Sequence, residues 1–223
     1  MKMKNIIISI LLYFIVSNMS AQTIEVSGGI NQNHFFDWEK EYVGFKADYT
    51  PGNGFSAALS LSELKFDSIP LKFSFLIDNY KGSFNKQLIT NGGGYQSVVS
   101  IEKTSIGIGF YPMNITLLKK IELSIGAEVS YKIYGITKGY KSTWALNGQN
   151  SNVTFDDGSV QINKDFIWGL SGMLSYNLKL NSDWSIAPQY KFYLGMSDEF
   201  SNIEDGIKSF RHYFELSIFK RIK

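Results

Sequence analysis

The chain has 223 residues, with 22 basic and 20 acidic side chains, no cysteine, and aromatic residues at 15% of the total. That length suits one domain, and the balance of charge gives no electrostatic footprint for nucleic acid. The lack of cysteine excludes a disulfide framework, a thiolate metal site and a lipid-modified cysteine anchor.

The first element is a leader. Lys2 and Lys4 open it, and IIISILLYFIV over 6–16 is apolar but too short to span a bilayer as a helix. Small and polar residues follow in SNMSAQ. The pattern predicts a secretory signal peptide over 1–21, cut between Ala21 and Gln22. Its removal leaves 20 basic and 20 acidic residues in a mature domain over 22–223.

Eight later segments alternate apolar with polar residues. In 23–31, Ile24, Val26 and Ile30 oppose Glu25, Ser27 and Asn31. In 54–64, Phe55, Ala57, Leu59 and Leu61 oppose serines and Ala58. Residues 42–50 alternate too. An even strand count places them in the first long connection, as a hairpin arm above the barrel, with a membrane strand as the competing reading. In 71–84, Phe73, Phe75 and Ile77 oppose Lys72, Ser74 and Asp78. In 96–111, Ile106, Ile108 and Phe110 oppose Ser105, Gly107 and Gly109. Segment 119–137 carries the longest stripe, and 164–178 sets Phe166, Trp168, Leu170, Leu174 and Tyr176 on one face. In 184–196, Pro188 lacks a ladder donor and marks a bulge or a weak spot. Segment 210–222 closes the series.

A period of two means strands. The stripe from Ile121 to Ile133 covers about 40 Å at ~3.3 Å per residue. Tilted, that is enough to cross a bilayer core. Connections 32–53, 85–95, 138–161 and 197–209 are longer, while 65–70, 112–118 and 179–183 are short. The predicted fold is all-β: an eight-stranded antiparallel up-and-down transmembrane β-barrel with its short turns in the periplasm.

The predicted lipid face includes Ile121, Leu123, Ile125, Val129, Ile186, Tyr190, Phe192, Phe214 and Leu216. These residues are too bulky and numerous for the interior of a soluble eight-stranded barrel. The predicted lumen face carries Glu122, Glu128, Lys132, Lys191 and Glu215, with Glu25, Lys72 and Arg211. Buried charges need partners. Glycines at 107, 109, 126, 169 and 195 leave room for longer side chains opposite. Lys103 and Asp78 complete the balanced inward set, and both are expected above the bilayer in solvent. Aromatic girdles are expected from Phe110, Tyr111, Tyr176 and Trp184 below, and from Tyr80, Tyr134, Phe166, Trp168 and Phe210 above.

GFSAALSLSELKFDSIPLKFSFLIDNYKG (54–82), TSIGIGFYPMNITLLKKIELSIGAEVSYKIYG (104–135), DWSIAPQYKFYLGMSDEF (183–200) and RHYFELSIFKRIK (211–223) read as barrel strands joined by tight turns. In these segments the chain resembles the PorT-like small outer-membrane β-barrels, with the architecture of OmpA and OmpX membrane domains. The resemblance implies an outer-membrane location in a diderm bacterium and fixes no activity. It also implies, for some members, a tie to protein export or surface assembly. The chain departs from the usual aromatic ending, because Phe219 is followed by Lys-Arg-Ile-Lys.

The inventory for chemistry is short. His34 lies in the first long connection, and His212 lies on the predicted lipid face. Ser209 and Glu215 are near His212 in sequence, but Glu215, three residues on, points to the opposite face. A local His–Ser–acid set therefore does not assemble. The acidic runs at 156–159 and 197–206 lack EF-hand spacing and read as solvated loops. Gly28-Gly29 precedes no helix and is no nucleotide fingerprint. The sequence thus predicts no catalytic residue, no cofactor and no metal site. It points to a monomeric, non-enzymatic barrel with a structural, surface-interaction or secretion-support role. Its partners would be outer-membrane lipids and, through the loops, envelope or secretion proteins. The alternatives are an outer-leaflet lipid-modifying enzyme and a narrow channel, and the filled interior of eight strands weighs against the latter.

Overall fold

The computed structural model describes residues 23–37, 44–66, 69–118, 120–155, 164–200 and 206–222. The predicted leader over 1–21 and the acidic run at 156–159 lie outside the described residues. The strands are β1 (Thr23–Asp37), β2 (Phe45–Phe66), β3 (Ile69–Thr90), β4 (Gly93–Leu117), β5 (Ile121–Ala145), β6 (Asn150–Phe155), β7 (Phe166–Tyr176), β8 (Leu178–Lys179), β9 (Trp184–Gly195) and β10 (Ile207–Arg221). Each of β1 to β5 pairs antiparallel with the next, then β5 with β7, β7 with β9, β9 with β10 and β10 with β1. Eight strands therefore close a ring that leaves no sheet edge along its paired length. The remaining two extend it: β6 continues as a hairpin on the far part of β5, and β8 resumes the β7–β9 register.

That resumption explains Pro188. The β9–β10 ladder runs through Leu216↔Pro188 without a shift. The β7–β9 ladder stops at Ser175↔Gln189 and restarts at Leu178↔Ile186. A residue without an N–H weakens one ladder and does not bulge the strand. Pro112 behaves differently. It sits inside β4, where the pairing with β5 shifts between Phe110 and Met113. Pairing continues past the turn expected over 112–118 as far as Leu117↔Ile121, and Leu118 is in the left-handed region at φ 49.

Several strands are longer than the alternation suggested. β2 and β3 have 22 residues each, and β4 and β5 have 25. A tilted membrane strand needs about 9–11. Residues 45–50 are neither a hairpin arm nor an extra membrane strand. They are the upper end of β2, paired with 83–88 of β3. The connection over 85–95 shrinks to a two-residue turn between Thr90 and Gly93. The wall from β2 to β5 thus rises well above the wall formed by β7, β9, β10 and β1.

Alternation sends opposite chemistry to the two sides. Val26, Ile30, Phe55, Phe75, Ile108, Val129, Trp168, Leu174, Phe214 and Ile218 are exposed on the outside. Glu25, Lys72, Asp78, Glu128, Lys191 and Arg211 are buried on the inside. A soluble barrel has the reverse arrangement. Two inward glycines accept aromatic rings. A Cβ at Gly109 would stand 2.8 Å from the Tyr111 ring, and one at Gly169 would stand 2.7 Å from the Tyr193 ring.

Candidate functional site: the charged lumen and its upper plug

Inward charges are wired into ion pairs along the lumen. Toward the lower end, where β1 begins and β10 ends, Glu25 Oε2 meets Lys72 Nζ at 2.6 Å. Glu25 Oε1 accepts from Gln189 Nε2 at 2.5 Å and Ser217 Oγ at 2.9 Å. Farther along, Glu128 pairs with Lys191 at 3.3 Å and accepts from the Tyr111 hydroxyl at 2.6 Å. Glu215 accepts from Ser56 Oγ at 2.6 Å. The Lys191 ammonium lies 4.1 Å from the centroid of the Tyr213 ring.

Arg211 occupies the centre of the upper lumen. Its guanidinium is sandwiched between the Tyr80 and Tyr193 rings, at 4.0 and 4.2 Å from their centroids. It donates to Asp78 at 2.5 Å and to Glu199 at 3.3 Å. Asp78 also accepts from Asn31 at 2.6 Å and from the Tyr213 hydroxyl at 2.7 Å. Glu199 accepts from Lys103 at 3.0 Å, from the Tyr80 hydroxyl at 2.8 Å and from Ser209 at 2.5 Å. A guanidinium held by two carboxylates and two ring faces is oriented from four sides.

Apolar packing closes the top. Phe200, delivered by the β9–β10 connection, meets the rings of Phe35 at 5.6 Å and Phe84 at 5.3 Å. Val99, Ile101, Ile167 and Ile207 join the same buried cluster. Lys86 and Asp37 form a buried ion pair in this upper region. The lower end is more open. There a cavity of about 670 Å³ is lined by Glu63, Glu122, Asn177, Lys179 and Arg221, among others.

Of the nine residues predicted for the lipid face, Ile125, Val129, Phe192, Phe214 and Leu216 are exposed, and Ile121, Leu123, Ile186 and Tyr190 are half-buried. Of the five predicted lumen charges, Glu128, Lys191 and Glu215 are buried. The other two sit nearer the mouths. Glu122 lines the lower cavity and accepts from Asn177 at 3.4 Å. Lys132 pairs with Asp165 at 2.9 Å.

Three expectations are corrected. Lys103 and Asp78 are buried in the network, not solvated above the bilayer. The reason is the height of β3 and β4, which carries the lumen upward with them. Tyr80 and Tyr111 belong to no outer girdle. Both are fully buried inward, where each hydroxyl meets a carboxylate. His34 lies on β1, not in a loop, and its ring meets that of His212 edge-on at 5.8 Å. His212 Nδ1 is also 2.6 Å from the Tyr190 hydroxyl. Sequence reasoning missed Glu199 and Phe200, both inside the run taken for a solvated acidic loop. The apolar Phe200 among acids was the available signal.

Glu199 lies in the connection between β9 and β10. Burial alone would raise its carboxyl, but the charges of Lys103 and Arg211 and the hydrogen bonds from Ser209 and Tyr80 outweigh it and hold it down at about 2. The ordinary value is 4.5. A depressed carboxylate stabilises the fold above its unfolded value and loses that contribution as pH falls toward its folded one. We therefore expect about 3 kcal/mol of stability to disappear between about pH 5 and pH 2. Glu199→Gln should flatten that part of the pH profile in urea unfolding. An unchanged profile would contradict this role.

No family model matches the chain. No curated protein matches it either. Solved structures do resemble it. Neisserial surface protein A is 11% identical, with a TM-score of 0.41, covering 92% of this chain and 99% of its own. OprG from Pseudomonas aeruginosa is 10% identical, with a TM-score of 0.42, covering 91% of this chain and 97% of its own. Ail, the attachment invasion locus protein of Yersinia pestis, is 10% identical, with a TM-score of 0.35, covering 90% and 99%. At these values the likeness is one of architecture, and the barrel assignment rests on the strand pairing itself.

Proposed function

We propose that this chain is an integral bacterial outer-membrane barrel with a sealed lumen and a non-enzymatic role. The observation that carries the proposal is the inverted chemistry of the ring. Its outside is an apolar belt, and its inside is a set of buried, paired charges. Such an outside belongs against acyl chains. Lipids of the outer membrane contact Ile125, Val129, Phe214 and their outward neighbours, while Glu128, Lys191 and Glu215 fill the interior. The PorT-like pattern of strands and turns supports a place among small outer-membrane barrels tied to export or surface assembly. The tall wall of β2 to β6 then presents a contact surface to envelope or secretion proteins, and the barrel works as a monomer.

A sealed lumen has a direct electrical consequence. Purified protein in planar bilayers should give no sustained conductance at neutral pH. Regular, ion-selective openings would overturn the sealed reading and favour a channel.

A further inference from the structure

We propose that the upper lumen contains a binding pocket for a small monocarboxylate, and that Glu199 is its tethered occupant. The pocket is built by the barrel wall. Tyr80 comes from β3, Lys103 from β4, and Ser209 and Arg211 from β10. All four are buried. Each directs a donor to one carboxylate: Lys103 at 3.0 Å, the Tyr80 hydroxyl at 2.8 Å, Ser209 at 2.5 Å and Arg211 at 3.3 Å. The carboxylate itself does not come from the wall. It arrives on the connection between β9 and β10.

Charge balance defines the ligand. Arg211 and Asp78 neutralise each other at 2.5 Å. With Glu199 gone, Lys103 would remain as a buried cation with no ion-pair partner among the described residues. A buried charge of that kind demands an anion. Two cations and two hydroxyls converging on a planar pair of oxygens suit a carboxylate. The ring that covers one face of Arg211 also carries an unpartnered donor. The Tyr193 hydroxyl has no hydrogen-bond partner among the described residues, although the residue is buried against Arg211. Internal attachment gives Glu199 a high effective concentration, so an external carboxylate competes only when abundant. The inference holds whether or not the barrel conducts ions, and its test is separate from the bilayer recording.

The test uses the full barrel in detergent. Glu199→Ala should lower the melting temperature. Sodium acetate should restore most of the loss in a saturable way, as expected when a ligand binds only the folded state. Sodium chloride at equal ionic strength should not. Adding Lys103→Met to Glu199→Ala should abolish the acetate response. Equal responses to the two salts, or no response to either, would overturn the proposal. If Glu199→Ala does not fold, its refolding yield takes the place of melting: rescue by acetate alone supports the pocket, and failure of acetate overturns it. In the wild type, fluorophenylalanine at position 200 should show a second ¹⁹F resonance that grows with acetate and not with chloride. Its absence at every acetate concentration that the fold tolerates would overturn competition by an external ligand.

Discussion

Replacing Arg211 with methionine should destabilise the barrel by about 3–5 kcal/mol, the usual cost of removing one partner from a buried ion pair. The cost does not come mainly from lost attraction. It comes from Asp78 and Glu199, which both stay buried after losing the guanidinium they share, while Glu199 keeps its pairing with Lys103. The Tyr80 and Tyr193 rings also lose the guanidinium that lies between them. Adding Asp78→Asn to Arg211→Met removes one stranded charge and should recover a measurable part of the loss. Urea unfolding in lipid vesicles reads both variants. If the two substitutions simply add, Arg211 and Asp78 are not coupled and the network account is wrong.

Ile125→Arg should cost about 2–4 kcal/mol, the range for a cation near the midplane on a lipid face. Ile125 is 43% exposed on β5, with Gly172 and Met113 as its register partners. In water, an arginine at so exposed a position would cost almost nothing. The loss is therefore specific to an apolar surrounding. Ser100→Arg provides the contrast. Ser100 is also exposed, but it lies on the upper part of β4, opposite Lys138. Its replacement should cost well under 1 kcal/mol, as for an ordinary surface site. Similar costs for the two variants would remove the membrane belt from the account.

The alternation of residues made most of this fold legible. Period two fixed which face each side chain takes, and the outward set from Ile121 to Leu216 follows that parity. Parity alone would have turned Tyr80 and Tyr111 inward, where they lie, against the girdle expected for them. Tyr111 alternates with outward Phe110, and Tyr80 shares its parity with inward Asp78. Their nearness to strand ends suggested a girdle, and that cue was the weaker one. Strand length was harder to read. Apolar alternation fades where a strand leaves the apolar belt, because both faces can then be polar. The upper ends of β2 to β5 therefore looked like loops, and Lys103 seemed to stand in water. Glu199 was illegible for a different reason. Its partner Lys103 is 96 residues away in sequence, and no local pattern encodes that meeting. The same holds for His34 and His212, which meet only because β10 returns to pair with β1.

Thiol labelling on intact cells tests the central claim most directly, and the cysteine-free chain gives a clean background. Asn150 opens β6 on the upper hairpin, and Asn181 lies in the lower turn before β9. Both are exposed. An outer-membrane barrel in the orientation described here predicts that Asn150→Cys reacts with an impermeant maleimide on whole cells. Asn181→Cys should react only after the outer membrane is breached. Labelling of Asn181→Cys alone on whole cells would invert the topology. Equal labelling of both would contradict a barrel that spans the outer membrane.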